Sequence, residues 1–538
     1  MTTDDVAQWW STAIIDMQPG HIALRGHPIE SLIGHVGFVD MIWLMVCGTM
    51  PNQSQRAVLE AALVAAVDHG PQAPSIAAAR MSITCGVGLN NAMATGVNLL
   101  GDVTNNSEEH IMNEAIGASI TDYLIKPVLP QQMLAVLKKH LDTKKLVQAH
   151  QSQAFHGKYQ QLADQMPQLH DHQSWSVWYL SLIELECQLD EHSDQTLSEL
   201  LAQLKKQANR FFGDFLSERY PTWLAQEASP LRTDLVLRKE VLPHINQPTI
   251  LLVLDNLRYD HWLSLEQLCA SWYEKSEETV VWSTLPTATA YARNALCAGL
   301  VPLLIAKNHP DLWLNEWDTS GKNLAEAELI SRLIRDMGLS PKWSYHKVQN
   351  QKQGLSLVQK IPQWAKQDLT VIVYNTLDKI SHAKTDNDLA KELIVDDRSY
   401  RALLRTWFTH SPLSKILEVS AQHRMKLMIT TDHGSIQVGH PIHLKSDKNI
   451  NANLRYKVGK SIKAHPKEAL NIHEPEKYGL PSLGPNHQYI IAKNDGFFTY
   501  PQQEHEHIHH YRQTYQHGGM TMEEVLVPFA VLMPKSIN

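Results

Sequence analysis

Three short apolar runs in the second half of the chain constrain its fold most, because an aspartate stands at the end of each. The runs PTILLVLDN, DLTVIVYNTLD and KLMITTDHG carry Asp255, Asp378 and Asp432. Continuous apolar runs of this length are typical of buried parallel strands, and helix-like stretches separate them. Ligands of doubly wound sheets bind outside the carboxyl ends of the strands. The pattern therefore predicts an α/β domain over residues 231–538 with three aspartates at one sheet edge.

Histidines near these aspartates predict metal binding. Asp378 and His382 are four residues apart, so one helical turn would bring both onto the same face. His433 follows Asp432 and precedes a glycine, which allows a sharp backbone turn, and His517 opens the segment HGGMTMEE. One aspartate at a strand end is equally well explained as a helix N-cap. Three aspartates with these histidines favour a metal site.

A candidate nucleophile lies in the segment LPTATAYARNALCAGL, where a turn gives way to a predicted helix. Thr289 stands at that point, and Thr287 is the rival hydroxyl two residues earlier. A helix N-terminus stabilises negative charge, which favours an ionised hydroxyl and a bound phosphate. We expect Thr289 to be the nucleophile because it is closer to the helix start. Arg293, one turn later, is expected to reach a phosphate oxygen.

Two further segments carry charged or metal-ligating side chains. The segment NLRYKVGKS holds Arg455, Lys457 and Lys460, which are either substrate contacts or part of a solvated loop. The tract EHEHIHHYRQTYQH is rich in histidine, but we expect an exposed strand or loop there rather than a third metal site. The sequence does not decide between the two interpretations of the basic segment.

Composition limits the remaining classes. The chain has 538 residues, 43% hydrophobic and 19% charged, so several globular units with sizeable cores are expected. A net charge of −8 excludes a global field that would attract nucleic acid. Five cysteines without a C-x-x-C pair predict free thiols in a reducing compartment. The start lacks signal-peptide features, and no apolar run is long enough for a membrane span, which predicts a cytoplasmic protein without membrane insertion.

The first 102 residues resemble the citrate synthase and citryl-CoA lyase family in LRGHPIESLIGHVGF, DHGPQAPSIAAAR and GVGLNNAMATGVNLLGD. The resemblance implies an all-α fragment and matches His69 to a substrate-binding histidine. The family's His-Gly-Gly-Ala loop should follow the LLGD-type stretch, but the chain continues GDVTNNSEEH. We therefore expect His69 to be an ordinary histidine at a helix end, and we expect no citrate-type catalysis.

Residues 103–142 resemble the last third of a response-regulator receiver domain. The resemblance matches Thr104 to the switch hydroxyl, Tyr123 to the switch aromatic residue and Lys126 to the lysine that contacts the phosphoryl group. No phosphoacceptor aspartate stands in the expected window, so phosphorylation control is not expected in this chain. Residues 143–230 show helical spacing of Leu, Ile and Trp and predict a helical bundle that serves as a linker.

The two N-terminal resemblances meet near residues 102–104, and each is cut inside a fold. Whole domains are normally fused at exposed linkers. The join therefore predicts an artefact of assembly or gene prediction, or a chimeric reading frame.

The C-terminal motifs taken together resemble the PglZ-type domain of the alkaline phosphatase superfamily, as it occurs in PorX-type response regulators of type IX secretion. The motifs are PTATAYARNALCAGLVP, TLDKISHAKTD, TTDHGS, NLRYKVGKS and HGGMTMEE. The resemblance implies an alkaline-phosphatase-like doubly wound sheet with two metal ions. It assigns Asp378, His382 and His517 to one ion. It assigns Asp255, Asp432, His433 and the Thr289 hydroxyl to the other. Zinc suits these ligands, and manganese is the alternative.

The same resemblance implies a metal-dependent phosphodiesterase or phosphatase that acts on short or cyclic oligonucleotides. It also implies a sensor histidine kinase, a sigma factor or a secretion component as partners, and a homodimer as one oligomeric state. Two alternatives remain open at this point. The first is a non-enzymatic regulator that docks signalling or transcription partners, and the second is a citrate-synthase-like acyltransferase or lyase.

Overall fold

The structure is a computed structural model, and it describes residues 14–18, 20–65, 104–106, 123–125, 155–190, 195–226, 229–315, 318, 324–444, 451–484, 486–499 and 504–535. The chain divides into two compact units, Met1–His150 and Gln151–Asn538. His69 and Lys126 lie outside the described residues.

The first unit begins with a three-stranded antiparallel sheet, β1 (Ile15–Gln18), β2 (His21–Leu24) and β3 (His27–Pro28). Its two tight turns use Gly20 and Gly26 at positive φ, a conformation that glycine adopts without strain. The helices that follow are α1 (Ile29–Leu32), α2 (Phe38–Cys47) and α3 (Gln53–Ala65). The resemblance implied an all-helical fragment, so this sheet was not predicted.

Two further short strands lie in the predicted receiver segment. They are β4 (Thr104–Asn106) and β5 (Tyr123–Ile125). They pair in parallel, with Thr104 opposite Tyr123. The notional helix between them, at residues 107–122, lies outside the described residues, and Thr104 begins β4 rather than closing a strand as expected. The receiver resemblance and the switch roles of its residues therefore stay predictions.

Three helices open the second unit, in agreement with the helical pattern of the linker segment. They are α4 (155–165), α5 (His172–Leu189) and α6 (Gln195–Ala225). Asp171 and Ser174 form a capping box that fixes the start of α5. Trp175 and Phe212 meet edge to face, and Phe212 stacks on Trp282 of the following domain. The helices therefore share one core with the α/β domain.

The α/β domain is built on a six-stranded sheet in the order β7-β18-β10-β6-β9-β8. Its strands are β6 (Thr249–Leu254), β7 (Tyr273–Trp282), β8 (Trp343–Val348), β9 (Leu369–Tyr374), β10 (Lys426–Thr430) and β18 (Leu526–Pro534). The strands β10, β6, β9 and β8 are parallel, which confirms the predicted class. The strands β18 and β7 continue the sheet antiparallel, so the sheet is mixed.

Both faces of this sheet are covered, which explains why its strands read as unbroken apolar runs. In β6, Ile250, Leu252 and Leu254 pack into the core on one face. Leu251 and Val253 pack into the core on the other. Helices supply the remaining apolar surface. The helices of this domain are, in chain order, α7 (Thr233–Val236), α8 (Tyr259–Cys269), α9 (Thr289–Ala298), α10 (Pro302–Asn308), α11 (Glu326–Asp336), α12 (Gln351–Val358), α13 (Ile361–Trp364), α14 (Thr376–Asp386), α15 (Asp388–Leu393), α16 (Asp397–His410) and α17 (Pro412–Gln422). Of these, α15 has no buried residue.

Smaller sheets follow β10. Their strands are β11 (Ile436–Gln437), β12 (His440–His443), β13 (Tyr456–Lys460), β14 (Ala469–Ile472), β15 (His487–Ala492), β16 (Gly496–Thr499) and β17 (Tyr515–Gln516). The last helices are α18 (Glu504–Tyr511) and α19 (Met522–Val525). The prediction of a strand or loop for the histidine tract is wrong over α18. Ile508 and Tyr511 pack onto a small apolar cluster that includes Phe497, and this contact stabilises one helical face.

No single helix among the described residues is both long enough and apolar enough to cross a membrane. The helices α9 and α10, which are bent by 67° relative to each other, reach the required length and composition only when they are counted together.

A buried histidine predicts acid sensitivity of the fold. His261 on α8 is fully buried, and neither ring nitrogen has a hydrogen-bond partner. Burial lowers the pKa of His261 from an ordinary value of 6.5 to about 4, although Asp260 and Asp397 act in the opposite direction, while Arg258 and Arg401 act with burial. As the pH falls, this histidine binds a proton in the unfolded chain at a higher pH than it does in the folded protein. We therefore expect the free energy of unfolding to fall by about 3 kcal/mol between pH 6.5 and pH 4.

Urea denaturation at several pH values measures this effect. We expect His261→Leu to show a shallower pH dependence in this window than the unmodified protein. The exposed His423→Leu serves as the control and should keep the original dependence. Equal pH dependence in His261→Leu and the unmodified protein would contradict the assignment.

Candidate active site

The three predicted aspartates lie together because the parallel strands bring their carboxyl ends to one edge of the sheet. Asp255 follows β6 directly, and Asp432 stands two residues after β10. Asp378 lies in the first turn of α14, the helix that follows β9. The strands β10, β6 and β9 are neighbours, so all three carboxylates reach the same cleft.

The first cluster of ligand atoms combines Asp378, His382 and His517, with one ligand atom from each residue within 4.8 Å of the others. His382 Nε2 lies 3.4 Å from Asp378 Oδ1, since both residues share a face of α14. His517 Nε2 lies 3.6 Å from the same oxygen and comes from the loop before α19. The cluster therefore has the residue set that the D-x-x-x-H spacing and the distant histidine predicted.

The second cluster combines Asp255, Asp432 and His433 within the same limit. His433 Nε2 lies 3.5 Å from Asp432 Oδ2 and 4.0 Å from Asp255 Oδ1. All three side chains are buried. The two clusters are adjacent, because the rings of His433 and His517 stack with their centroids 4.3 Å apart.

Thr289 is the first residue of α9 and presents its hydroxyl to the second cluster. Its Oγ1 lies 3.1 Å from His433 Nε2, and the residue is half-buried. Thr287 is buried, and its hydroxyl donates to the Gly519 carbonyl while it accepts from the Gly518 amide. The two threonines thus differ in their contacts. Thr289 faces the ligand clusters, and Thr287 holds the loop that carries His517.

Charge within the clusters shifts the pKa values of their members. Burial opposes ionisation of Asp378, but the neighbouring His382 and His517 lower the pKa of this carboxyl well below the ordinary range. Burial and the neighbouring His433 lower the pKa of His517 to about 3. His517 is therefore neutral at physiological pH, with a lone pair available to a cation.

In the second cluster, burial raises the pKa of one carboxyl, whereas nearby positive charge lowers the pKa of the other. Burial raises the pKa of Asp255 well above the ordinary value, and Asp432 adds to the effect while Arg293 opposes it. Burial acts the same way on Asp432, yet Arg293 and His433 bring its pKa below the ordinary value. Two buried carboxylates this close are unfavourable unless positive charge lies between them.

Several acceptor atoms in the clusters support metal binding by their lack of other hydrogen-bond partners. Asp255 Oδ1, Asp378 Oδ1 and Asp432 Oδ2 are buried and have charged or imidazole groups nearby, but no contact to them has hydrogen-bond geometry. Buried polar atoms are normally satisfied, and exceptions often mark an ion site. Carboxylate oxygens with imidazole nitrogens are also a donor set that suits zinc and related ions. The residues present therefore fit one divalent cation in each cluster.

The predicted substrate contacts lie in different environments. Arg293 is fully buried against Asp255 and Asp432. Arg455 is also buried and pairs with Glu524, and Lys457 donates to the carbonyl of Asn451. Lys460 is exposed at the end of β13. The basic segment is thus a strand rather than a solvated loop, and its three side chains do not form one surface.

The hydrogen bonds by which Glu524 holds the His517 loop in place were not identified from the sequence. Glu524 accepts hydrogen bonds from the amides of Gly519 and Thr521 and from the Thr521 hydroxyl. Thr521 and Glu524 form a capping box for α19. The T-x-x-E spacing in HGGMTMEE is typical of a capping box and could have predicted this contact.

The helical segment holds the same loop from behind. The Asn209 side chain on α6 accepts from the Met522 amide and donates to Glu523. A side chain at Gly434 would collide with the carbonyl oxygen of Glu523, so only glycine allows the chain to pass here after His433. The position of the His517 loop therefore depends on packing against both α6 and the turn after β10.

Comparison with known families agrees with this arrangement. The sequence model of the BREX system PglZ alkaline phosphatase-like domain matches residues 236–532. The chain belongs to the PglZ family. A second model, the PorX response regulator linker domain, matches residues 145–224. The linker match followed by the PglZ match confirms the predicted resemblance to PorX-type response regulators. No curated protein matches the chain.

Three solved structures with similarity to this PglZ chain are distant from it. Murine ectonucleotide pyrophosphatase/phosphodiesterase 5 is 14% identical with a TM-score of 0.34, over 53% of this chain and 88% of that one. Phosphonoacetate hydrolase from Sinorhizobium meliloti is 10% identical with a TM-score of 0.35, over 53% and 89%. Citryl-CoA lyase from Hydrogenobacter thermophilus is 25% identical with a TM-score of 0.17, and the match spans 25% of this chain and half of the lyase. These scores add no support for a function.

Proposed function

We propose that this PglZ chain is a metal-dependent phosphodiesterase or phosphatase that uses Thr289 as its nucleophile. One observation carries the proposal. The Thr289 hydroxyl stands at a helix N-terminus, 3.1 Å from His433 Nε2, beside two adjacent clusters of metal-ligating groups. We assign zinc to both clusters, with manganese as the alternative.

Each part of the site has a role in this reaction. A divalent ion in each cluster would stabilise the charge that develops on the attacking and leaving oxygens. Thr289 Oγ1 gives up its proton and forms a bond to phosphorus while the bond from phosphorus to the leaving oxygen breaks, and the leaving oxygen takes up a proton to become an alcohol. Water then hydrolyses the phospho-threonine and restores the hydroxyl. The N-terminus of α9 favours the bound phosphate and the ionised hydroxyl.

The finer parts of the proposal follow from the family resemblance. Short or cyclic oligonucleotides are the proposed substrates, and exposed Lys460 is the member of the basic segment that remains available to contact them. The proposed partners are a sensor histidine kinase and a sigma factor or secretion component, with homodimerisation as part of the same assignment. Thr104, Tyr123 and Lys126 are the proposed remnants of receiver function, and the proposed location is the cytoplasm.

Metal analysis and turnover measured on the full chain test this function. We expect two equivalents of divalent metal, hydrolysis of a bis-aryl phosphate, and loss of that activity with a chelator. We expect His382→Ala to lose metal from the first cluster together with activity. His510→Ala, on the half-exposed face of α18, is the matched control and should retain both. A chain without bound metal and without turnover would instead favour the non-enzymatic regulator.

A further inference from the structure

Arg293 lies inside the second cluster rather than at the surface of the cleft. It stands one turn after Thr289 on α9, and its side chain is fully buried. Its Nη2 contacts Asp255 Oδ1 and lies 3.0 Å from Asp432 Oδ2. No contact to these two oxygens has hydrogen-bond geometry, and they are the atoms that would bind the second ion. The guanidinium and a metal ion therefore depend on the same acceptor atoms.

The far side of the guanidinium is anchored independently of the cluster. Arg293 Nη1 lies 3.6 Å from Glu326 Oε1 on α11. Glu326 in turn is contacted by Lys347 Nζ at 2.8 Å and accepts a hydrogen bond from the Tyr345 hydroxyl at 2.8 Å. Both of these partners belong to β8. A buried row of alternating charge thus runs from β8 to the second cluster and holds Arg293 in place.

The two clusters differ in charge as a result. The first cluster contains one carboxylate and two histidines, and its members among the described residues include no permanent cation. The second contains two carboxylates and one histidine with a guanidinium directly against both carboxylates. A fixed positive charge repels an incoming divalent ion, and the repulsion is strong where solvent is excluded. Arg293 also removes the mutual repulsion of Asp255 and Asp432 when no ion is bound.

We propose that Arg293 is a positioning residue that holds Asp255 and Asp432 in place and makes the second cluster bind its divalent ion more weakly than the first. The inference rests on the proposed function, because it assumes that both clusters take an ion. It gives the two ions different properties. The first ion stays bound, while the second exchanges at a chelator concentration that leaves the first in place.

Zinc titration of the full chain against a competing chelator tests the inference, with calorimetric melting of the metal-free protein as a second measurement. We expect two classes of zinc site in the unmodified protein. In Arg293→Gln we expect the weaker site to gain at least about tenfold in affinity, and the metal-free protein to melt at a lower temperature. Arg293→Lys keeps a positive charge and should keep the weaker site weak. Arg335→Gln, which removes an exposed arginine from α11, is the control and should change neither measurement.

Several results would overturn this assignment. An unchanged affinity of the weaker site in Arg293→Gln would contradict it, even if the chain binds two zinc ions and hydrolyses phosphodiesters. A raised KM in Arg293→Gln with both zinc affinities unchanged would show instead that the guanidinium contacts substrate. If Arg293→Gln does not fold, equal zinc affinities of the two sites in the unmodified protein overturn the inference. A chain that binds no zinc or manganese would overturn both this inference and the proposed function.

Discussion

Replacement of Thr289 by valine is expected to lower kcat for a bis-aryl phosphate by at least about a thousandfold, as the loss of a covalent nucleophile does in other hydrolases. Valine preserves the shape and the β-branched stem of threonine but has no hydroxyl to attack phosphorus. The contact of Thr289 Oγ1 with His433 Nε2 is lost at the same time. Because Thr289 is not a member of the first cluster, we expect that cluster to keep its metal.

Two other variants distinguish loss of the nucleophile from loss of bound metal. Thr289→Ser keeps a hydroxyl at the start of α9 and is expected to retain measurable turnover. Thr287→Val removes the contacts to Gly518 and Gly519, so its expected defect is a displaced His517 and a lower metal content. Steady-state kinetics and metal analysis of all three variants separate these roles. Full activity in Thr289→Val would show that the nucleophile is another group.

Replacement of Asp260 by asparagine is expected to destabilise the fold by about 3–5 kcal/mol, the usual cost of removing one partner from a buried ion pair. Both oxygens of Asp260 accept hydrogen bonds from Arg258, at 2.8 and 2.9 Å. Arg401 donates to the same carboxylate at 2.8 Å. All three side chains are almost fully buried. Burial alone would raise the pKa of Asp260, but Arg258 first and then His261 and Arg401 bring it well below the ordinary value.

Urea denaturation at neutral pH measures this loss. Asp388→Asn removes the same charge from a side chain that is 95% exposed and pairs only with Lys391 among the contacts described for it. We expect that control to change the free energy of unfolding by less than about 0.5 kcal/mol. If Asp260→Asn proved as stable as the control, the buried network would not contribute as its geometry indicates.

The sequence predicted the centre of the α/β domain well because the signals there are local. Apolar runs mark β6, β9 and β10, and the D-x-x-x-H spacing anticipates the shared helical face of Asp378 and His382. Parallel pairing of neighbouring strands then brings residues far apart in sequence to one edge. That is why six scattered positions meet in two adjacent clusters, with the Thr289 hydroxyl beside one of them.

The sequence could not reveal which charged residues become buried. Arg455 directly precedes β13 and Lys457 lies within it, and an apolar residue follows each of them. Arg455 is buried because it pairs with groups far along the chain, Glu524 and the Gly496 carbonyl. The charge row from Lys347 through Glu326 to Arg293 likewise joins three separate elements. The helix of the histidine tract also depends on packing of Ile508 against a distant apolar cluster. Such features arise from tertiary contacts, which periodicity does not encode.

The contact between Asn209 and the turn at Met522 also limits which fragments of the chain can keep the site intact. The matched PglZ segment starts at residue 236, yet Asn209 lies outside it and satisfies the Met522 amide within it. Arg401 similarly depends on Asp190, directly after α5, for two hydrogen bonds. A shortened chain that starts near residue 236 would remove the Asn209 partner of the Met522 amide, close to the His517 loop, and the Asp190 partner of Arg401. We therefore expect the smallest fragment that folds with an intact site to begin before His172, and we expect exchange of the α5–α6 helices between relatives to require matching changes in the α/β domain.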